Sequence, residues 1–244
     1  MKTKFILILA ILAVLFGGVS IRTIYTPAGA TPDPLLSTDL PIEIINEIRP
    51  LQGVHIVPLS EQNVPDAFRS VRADNIYQMK TNGYIEVKRL SNNNAEIQKS
   101  GKRQLKPLNE LRRNLAIEPS KLTDISQKFP DLRMLGARQT GSLVDGKSTG
   151  IFHLMVVPEL GLVGLNEVDY MLSNGGISLI EEAINYNVNG KPAVLTVKRT
   201  KANDGESELI WATDRKIYTL TTDRAVVGRQ SVNELIAFAN SLTD

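Results

Sequence analysis

The sequence predicts an α+β fold, an antiparallel sheet with packed helices, that follows an N-terminal signal peptide or membrane anchor. The C-terminal third contains three successive runs of alternating apolar and polar residues separated by turn residues, a pattern typical of an antiparallel meander. An apolar stripe at helical spacing follows the last of these runs. Because strands and helices are grouped along the chain instead of alternating as β-α-β units, an α+β fold is favoured over an α/β fold.

The N-terminus carries the pattern of an export signal. Lys2 and Lys4 precede an uncharged apolar segment that ends before Arg22. These roughly 17 residues lie at the lower limit of what a helix needs to cross a bilayer, so a cleaved signal and an uncleaved anchor through residues 5–21 both remain open. A cleavage site is available after Ala30. In either case we expect the rest of the chain to be exported to the periplasmic or extracellular face of a bacterial membrane.

Composition and turn residues divide the chain into four parts. Residues 1–24 are the signal peptide or transmembrane anchor, and residues 25–38 form a Pro-rich linker. Residues 39–130 are a mixed helical and hairpin region. Residues 131–244 are an antiparallel α+β region that ends in a helix. Whether these last two parts form one domain or two stays open at this point.

Periodicity assigns elements within these parts. In the first folded part we expect helices at residues 41–48, 65–79 and 120–129, the last capped by Ser120, and a hairpin of residues 83–90 with 95–99. In the second we expect strands at 132–139 and 151–157, short helices at 166–172 and 179–186, a meander of 193–199, 208–213 and 216–221, and a final helix opened by a capping box from Ser231 to Glu234.

The absence of cysteine excludes whole classes of protein. Without Cys there are no disulfide-stapled scaffolds, Cys-based zinc sites, thiol nucleophiles or lipid-modified N-terminal cysteines. The chain has two histidines, so it also offers few side chains of the kind that bind zinc. We therefore expect no metal and no cofactor.

One segment matches a nucleotide-binding pattern. Residues 141–148 fit the phosphate-binding motif G-x-x-x-x-G-K-[ST], in which backbone N–H groups wrap phosphates and a helix follows at once. Here Gly150 and a β-branched, apolar run follow, and Asp145 is bulky where the loop must be tight. A polar hairpin turn is therefore favoured over a nucleotide site.

Catalytic side chains are few. His55 and His153 lie in apolar runs, and neither has a carboxylate at the helical i, i+4 spacing of a metal site. A Ser-His-Asp triad would have to use one of these histidines, and no G-x-S-x-G motif is present. The carboxylate pairs Glu167 with Asp169 and Glu181 with Glu182 are more typical of solvated faces. We therefore predict no catalytic residues.

Charge is distributed unevenly. Residues 80–140 contain thirteen Lys or Arg and six Asp or Glu, a net charge of +7 by subtraction, whereas residues 159–190 contain acids and no Lys or Arg. Arg103, Arg112 and Arg113 are candidates for contact with anionic lipid headgroups or an acidic protein partner. Nucleic acid is not expected as a partner, because the segment lacks interleaved aromatic residues and the chain is exported.

Two aromatic residues in the meander, Trp211 and Tyr218, are further candidates for ligand contact, although core or sheet-face positions are the favoured interpretation. They belong to a set of short motifs in the C-terminal third, which comprises Gly190-Lys191-Pro192, Leu209-Ile210-Trp211, Tyr218-Thr219-Leu220, Glu234-Leu235-Ile236 and Ala239-Asn240-Ser241-Leu242. In this order they resemble a bacterial extracytoplasmic domain of unknown function found on anti-sigma-like membrane proteins, distantly similar to LolA- and RseB-like sheet proteins. The resemblance implies a binding or sensing module and carries over no catalytic residue.

Together these features predict a non-enzymatic extracytoplasmic protein of the cell envelope that binds or senses a protein or an amphiphilic ligand. Two alternatives remain open. One is a structural subunit of an envelope assembly, for which the anchor and linker are equally suitable. The other is an envelope hydrolase that uses an acid or His153.

Overall fold

The computed structural model describes residues 53–90 and 105–242, with residues 123 and 124 by their backbone alone. The predicted signal or anchor, the linker and the elements expected at 41–48 and 95–99 lie outside the described residues. The helices are α1 (Asp66–Asn82), α2 (Leu108–Leu111), α3 (Thr123–Lys128) and α4 (Arg229–Asn240). The strands are β1 (Val54–Val57), β2 (Ile85–Glu86), β3 (Arg133–Val144), β4 (Lys147–Val157), β5 (Gly161–Asp169), β6 (Ile177–Ile180), β7 (Tyr186–Val188), β8 (Lys191–Arg199), β9 (Gly205–Ala212) and β10 (Lys216–Thr222).

The main sheet has the strand order β2-β8-β9-β10-β5-β4-β3, and β7 also pairs with β8. Neighbouring strands run antiparallel except β2, which is parallel to β8. A separate two-stranded sheet joins β1 to β6 in parallel. The described chain is therefore an α+β protein with a mostly antiparallel sheet; the two parallel pairs were not predicted.

The meander of the last three strands is confirmed as β8, β9 and β10. Asn203, with φ of 66°, lies in the turn before β9, where Asn tolerates the left-handed conformation. The turn before β10 contains Asp214 and Arg215. Inward-facing residues alternate with half-buried ones along β10, as expected for a strand with two unlike faces.

The hairpin interpretation of residues 141–148 is also confirmed. Asp145 and Gly146 have φ of 50° and 75°, as in a type I′ turn, and join β3 directly to β4. Lys147 and Ser148 lie in β4, so no helix follows the motif. The backbone N–H groups of β4 bond within the sheet, which removes the helix N-terminus that a phosphate site requires.

Both faces of the sheet are covered in part. On the first face, α3 and α4 pack against the strands in the main core cluster, which includes Ile125, Leu165, Leu220, Leu235 and Phe238. On the second face, the β1–β6 layer packs against β8, β9 and β10. The helices on the first face and the small sheet on the second hold the central strands between them.

Two predicted short helices are wrong. Residues 166–172 lie mostly in β5, whose side chains are almost all buried, so its apolar run shows no alternation that would mark it as a strand. Residues 179–186 contain the end of β6, the 3-10 turn Glu181–Ala183 and the start of β7. The predicted strand at 83–90 is reduced to the two residues of β2.

Both predicted serine caps are wrong as well. The helix α3 begins at Thr123, and Ser120 lies before it in a segment outside any helix or strand. The helix α4 begins at Arg229, with Gly228 at φ of 84° in the N-cap position, so Ser231 falls inside the first turn. No helix in the described ranges is long and apolar enough to span a membrane.

Candidate functional site

A cluster of polar side chains lies buried under the first face of the sheet, centred on Glu167 of β5. Glu167 pairs in register with Ile151 of β4 and with Tyr218 of β10, so its side chain emerges between these strands. His153 follows two residues after Ile151 and points to the same face. The exposed fractions of His153 and Glu167 are both 0%.

Ser120 connects a distant segment to this carboxylate. Its backbone N–H donates to both oxygens of Glu167 at 3.2 and 3.0 Å, and its hydroxyl Oγ donates to Oε2 at 2.8 Å. The Tyr218 hydroxyl lies 3.0 Å from the same Oγ. Because the single Ser120 hydroxyl proton is directed at a carboxylate, Tyr218 is the donor in this second bond.

His153 approaches the other oxygen of Glu167. Its Nε2 lies 3.3 Å from Oε1, and an ionised carboxylate accepts only, so Nε2 carries the proton in this contact. The Nδ1 atom is buried without a hydrogen-bond partner among the described residues. The imidazole therefore contributes one donor to the carboxylate and lies between apolar neighbours on its own strand, Ile151 and Met155.

Lys216 supplies the positive charge of the cluster. Its Nζ lies 3.6 Å from Oε2 of Glu167 and donates to the carbonyl oxygen of Glu118 at 2.8 Å. The side chain is 10% exposed, so its charge faces the carboxylate with little screening by water. Lys216 and Glu167 thus bind the same segment, Lys216 at Glu118 and Glu167 at Ser120.

These contacts decide the ionisation of Glu167. Burial by itself raises the pKa of a carboxyl group, but the hydrogen bonds from His153 and Ser120, together with the Lys216 charge, outweigh it and lower the pKa of Glu167 below its ordinary value. Glu167 is therefore a stable anion at neutral pH and a weak base.

Trp211 and Tyr218, the two aromatic candidates, lie in this region. Their rings stack in parallel, with centroids 4.9 Å apart and an interplanar angle of 5°. Their exposed fractions are 3% and 2%. Trp211 therefore forms an apolar backing for the Tyr218 ring, and neither ring lies at the surface of the described structure.

The chemistry of the cluster favours fixation of the chain over catalysis. A serine nucleophile needs a base on Oγ and an open path for substrate. Ser120 bonds instead to a carboxylate with a lowered pKa, and its exposed fraction is 4%. The cluster thus acts as a clamp, which we name the Glu167 clamp: Ser120, His153, Glu167, Lys216 and Tyr218.

The other acids singled out from the sequence do not join the clamp. Asp169 accepts hydrogen bonds from Arg215 at 2.8 Å and from the backbone N–H of Leu172 at 3.0 Å. Glu182 caps the backbone N–H of Leu59 at 2.8 Å. In the described ranges, no group of three or more His, Asp or Glu side chains is placed to hold a metal ion.

The arginine candidates lie at the surface next to the clamp. Arg112 and Arg113 are exposed on the 3-10 turn Arg112–Asn114, and Arg112 reaches the Glu118 carboxylate at 3.4 Å. The same turn is bonded to the sheet, because the side chain of Gln139 donates to the Asn114 carbonyl at 3.0 Å. Arg103 lies outside the described residues.

Sequence reasoning missed Ser120 and Lys216 as members of one cluster. Ser120 was assigned to a helix cap, and Lys216 follows a turn where a lysine is ordinarily solvated. The signal available was the acid Glu167 in an otherwise apolar run, because a buried carboxylate requires partners. Nothing in the local sequence identifies partners that are 47 and 49 residues away.

Comparison with known proteins gives no relative: no family model, curated protein or solved structure matches this chain.

Proposed function

We propose that the chain is a non-catalytic, extracytoplasmic binding module of the cell envelope, and that the turn bearing Arg112 and Arg113 binds the anionic headgroup of an amphiphilic ligand. The observation that carries the proposal is the attachment of this exposed turn to the Glu167 clamp. The N-terminal export signal and the resemblance of the C-terminal third to extracytoplasmic sheet domains support the same assignment.

The clamp restricts the turn through the segment that follows it. Lys216 holds the carbonyl of Glu118, and Glu167 holds Ser120. Between the turn and these bonds, the backbone N–H of Ala116 donates to the carbonyl of Ser148 on β4 at 2.8 Å. A segment bonded at both ends to a sheet loses less conformational freedom when it binds a ligand than a solvated loop does.

The chemistry of the turn suits an anionic headgroup. The turn carries two exposed guanidinium groups, and each presents a planar set of N–H donors that matches the oxygens of a phosphate group. Lys147 is exposed beside Ser148 and adds positive charge on the strand to which Ala116 bonds. The exposed Arg112–Glu118 pair at 3.4 Å contributes little to stability, so Arg112 is available to exchange partners.

The experiment titrates the full-length chain, in a non-ionic detergent, with short-chain phosphatidylglycerol and separately with short-chain phosphatidylcholine. We expect binding of the anionic lipid that weakens as salt rises. The double charge reversal Arg112→Glu with Arg113→Glu should weaken it by at least about tenfold, since each basic residue near an anionic lipid surface contributes about 1 kcal/mol.

A matched double charge reversal, Lys201→Glu with Arg229→Glu, is the control, because both side chains are exposed and lie on other elements. It changes the net charge by the same amount and should leave the affinity close to that of the parent chain. Equal binding of the two lipids, or an equal effect of the two double variants, would reject the proposed surface.

A further inference from the structure

The outer edge of β8 is closed by side chains as well as by strands. β7 pairs with Lys191 to Ala193 at one end, and β2 pairs with Lys198 and Arg199 at the other. Between these ends, the backbone groups of Leu195 and Val197 face outward. This stretch of β8 is where a further strand would otherwise bond.

Two side chains take the place of that strand. The amide of Asn185 accepts from the Leu195 N–H at 2.8 Å and donates to the Leu195 carbonyl at 2.9 Å. The thioether Sδ of Met79 accepts from the Val197 N–H at 3.4 Å. Asn185 reproduces both bonds of a peptide group, whereas Met79 offers a single weak acceptor.

Met79 also joins α1 to the body of the protein. It lies in the last turn of α1 and is half-buried, packed against the main core cluster. The buried residue of α1, Arg72, bonds to Gln62 in the segment just before the helix. Phe68 and Tyr77 are exposed. The C-terminal end of α1 is attached to the sheet by Met79 and by Gln78, whose side-chain oxygen accepts from the Glu86 N–H of β2 at 3.0 Å.

We propose that Met79 is an oxidation-sensitive modification site, and that conversion of its thioether to the sulfoxide detaches the C-terminal end of α1 from the edge of β8. The oxidant is a hydroperoxide. A sulfur lone pair attacks the peroxide oxygen, the S–O bond forms as the O–O bond breaks, and the thioether loses two electrons while the peroxide is reduced to water or an alcohol. No other co-reactant is needed.

The consequence follows from where the oxygen is added. Sulfoxide formation turns a flexible apolar side chain into a polar and bulkier one. The new oxygen takes one of the two lone-pair positions of the sulfur that now contacts the Val197 N–H, so this contact is rearranged. The same polar group is unfavourable against the apolar core residues that Met79 packs on. The unfavourable contact with these core residues is what moves α1 away from β8.

The test uses the full-length chain with Met134→Leu and Met171→Leu, which removes one exposed and one half-buried methionine. Met155 has an exposed fraction of 0% and serves as the internal control. The protein is treated with hydrogen peroxide, sites of oxidation are located by mass spectrometry, and exchange of backbone amides is followed by NMR. We expect sulfoxide at Met79 before Met155, and exchange of the Val197 amide about tenfold faster after oxidation.

Two further substitutions at position 79 decide the interpretation. Met79→Leu keeps the apolar packing and should show no change in Val197 exchange on treatment with peroxide. Met79→Lys introduces a charged group that only donates hydrogen bonds, so it cannot accept from the Val197 N–H and should accelerate that exchange without oxidant, while amides of β10 keep their protection. Unchanged Val197 exchange in the oxidised protein, resistance of Met79 to peroxide, or full protection in Met79→Lys would each overturn the proposal.

Discussion

Ser120 and Glu167 are 47 residues apart in the chain and are joined by three hydrogen bonds, two from the Ser120 N–H and one from its hydroxyl. The contact fixes the segment around Ser120 against the central strands β5 and β10. It also explains how a carboxylate is kept ionised in an interior position, because charge-assisted donors replace its lost hydration.

Replacing Glu167 by Gln should destabilise the protein strongly. The neutral amide loses the charge-assisted bonds from Ser120 and leaves Lys216 buried without its anion, a situation that costs about 3–5 kcal/mol. Urea denaturation gives the change in the free energy of unfolding. The control is Glu118→Gln, because the Glu118 side chain is 82% exposed and its backbone carbonyl, which binds Lys216, is unchanged. Similar losses in the two variants would contradict the clamp.

Ionisation of Glu167 should make the free energy of unfolding depend on pH. Since the folded protein lowers the pKa of Glu167, its contribution to stability is complete above the pKa of the unfolded chain, about 4.3. It is lost as the pH falls from that value through the lower pKa of the folded state. The difference in unfolding free energy between the parent and Glu167→Gln should therefore be constant near neutrality and shrink in acid. A difference that grows in acid would mean the opposite shift.

For Glu208, the effect of pH on stability should have the opposite sign. Burial raises its pKa, Lys198 offsets this in part, and Glu206 adds to it; its Oε1 is buried without a hydrogen-bond partner among the described residues. A raised pKa makes the folded state less stable as the pH rises through the range between the unfolded and folded values. Glu208→Gln should stabilise the protein by about 1 kcal/mol at pH 7 and by less at pH 4. Thermal unfolding at the two pH values tests this, and destabilisation at pH 7 would refute it.

Tyr218→Phe distinguishes the contribution of the Tyr218 hydroxyl to stability from that of its ring. The variant loses the bond to Ser120 and keeps the stacking on Trp211, so we expect a loss of about 1 kcal/mol. Trp211→Ala removes the ring that supports Tyr218 and should cost about 3–5 kcal/mol. Chemical denaturation followed by far-UV circular dichroism measures both. A cost for Tyr218→Phe as large as that for Trp211→Ala would contradict this expectation, because the hydroxyl would then contribute far more to stability than one hydrogen bond.

Much of the fold was predictable where one face of a strand is buried and the other is not. The meander from β8 to β10 alternates clearly, and Asn203 marks its first turn, so periodicity and turn chemistry agree there. In β5, by contrast, both faces are buried and the alternation disappears, so that its second half reads as a short helix. The difference comes from the layers packed on the sheet, which no local window of sequence contains.

The clamp shows a second limit of sequence reasoning. The sequence offers Tyr218 and His153 as separate candidates. His153 contacts Glu167 directly and Tyr218 reaches it through Ser120, which becomes evident only when β4, β5 and β10 are placed side by side. Ser120 has the residue type and position of a helix cap, and its oxygen is instead directed to Glu167 because α3 begins three residues later. Long-range pairing overrides the local preference in this case.

We propose that the Glu167 clamp holds the turn bearing Arg112 and Arg113 in the form that binds an anionic headgroup. The most direct test is the affinity of full-length Ser120→Ala for short-chain phosphatidylglycerol, compared with the parent chain and with the Arg112→Glu, Arg113→Glu variant. Backbone exchange of residues 115–120 is followed on the same samples. We predict faster exchange in this segment and weaker binding in Ser120→Ala, with both arginines intact. Parental affinity in a Ser120→Ala protein whose segment exchanges freely would contradict the claim.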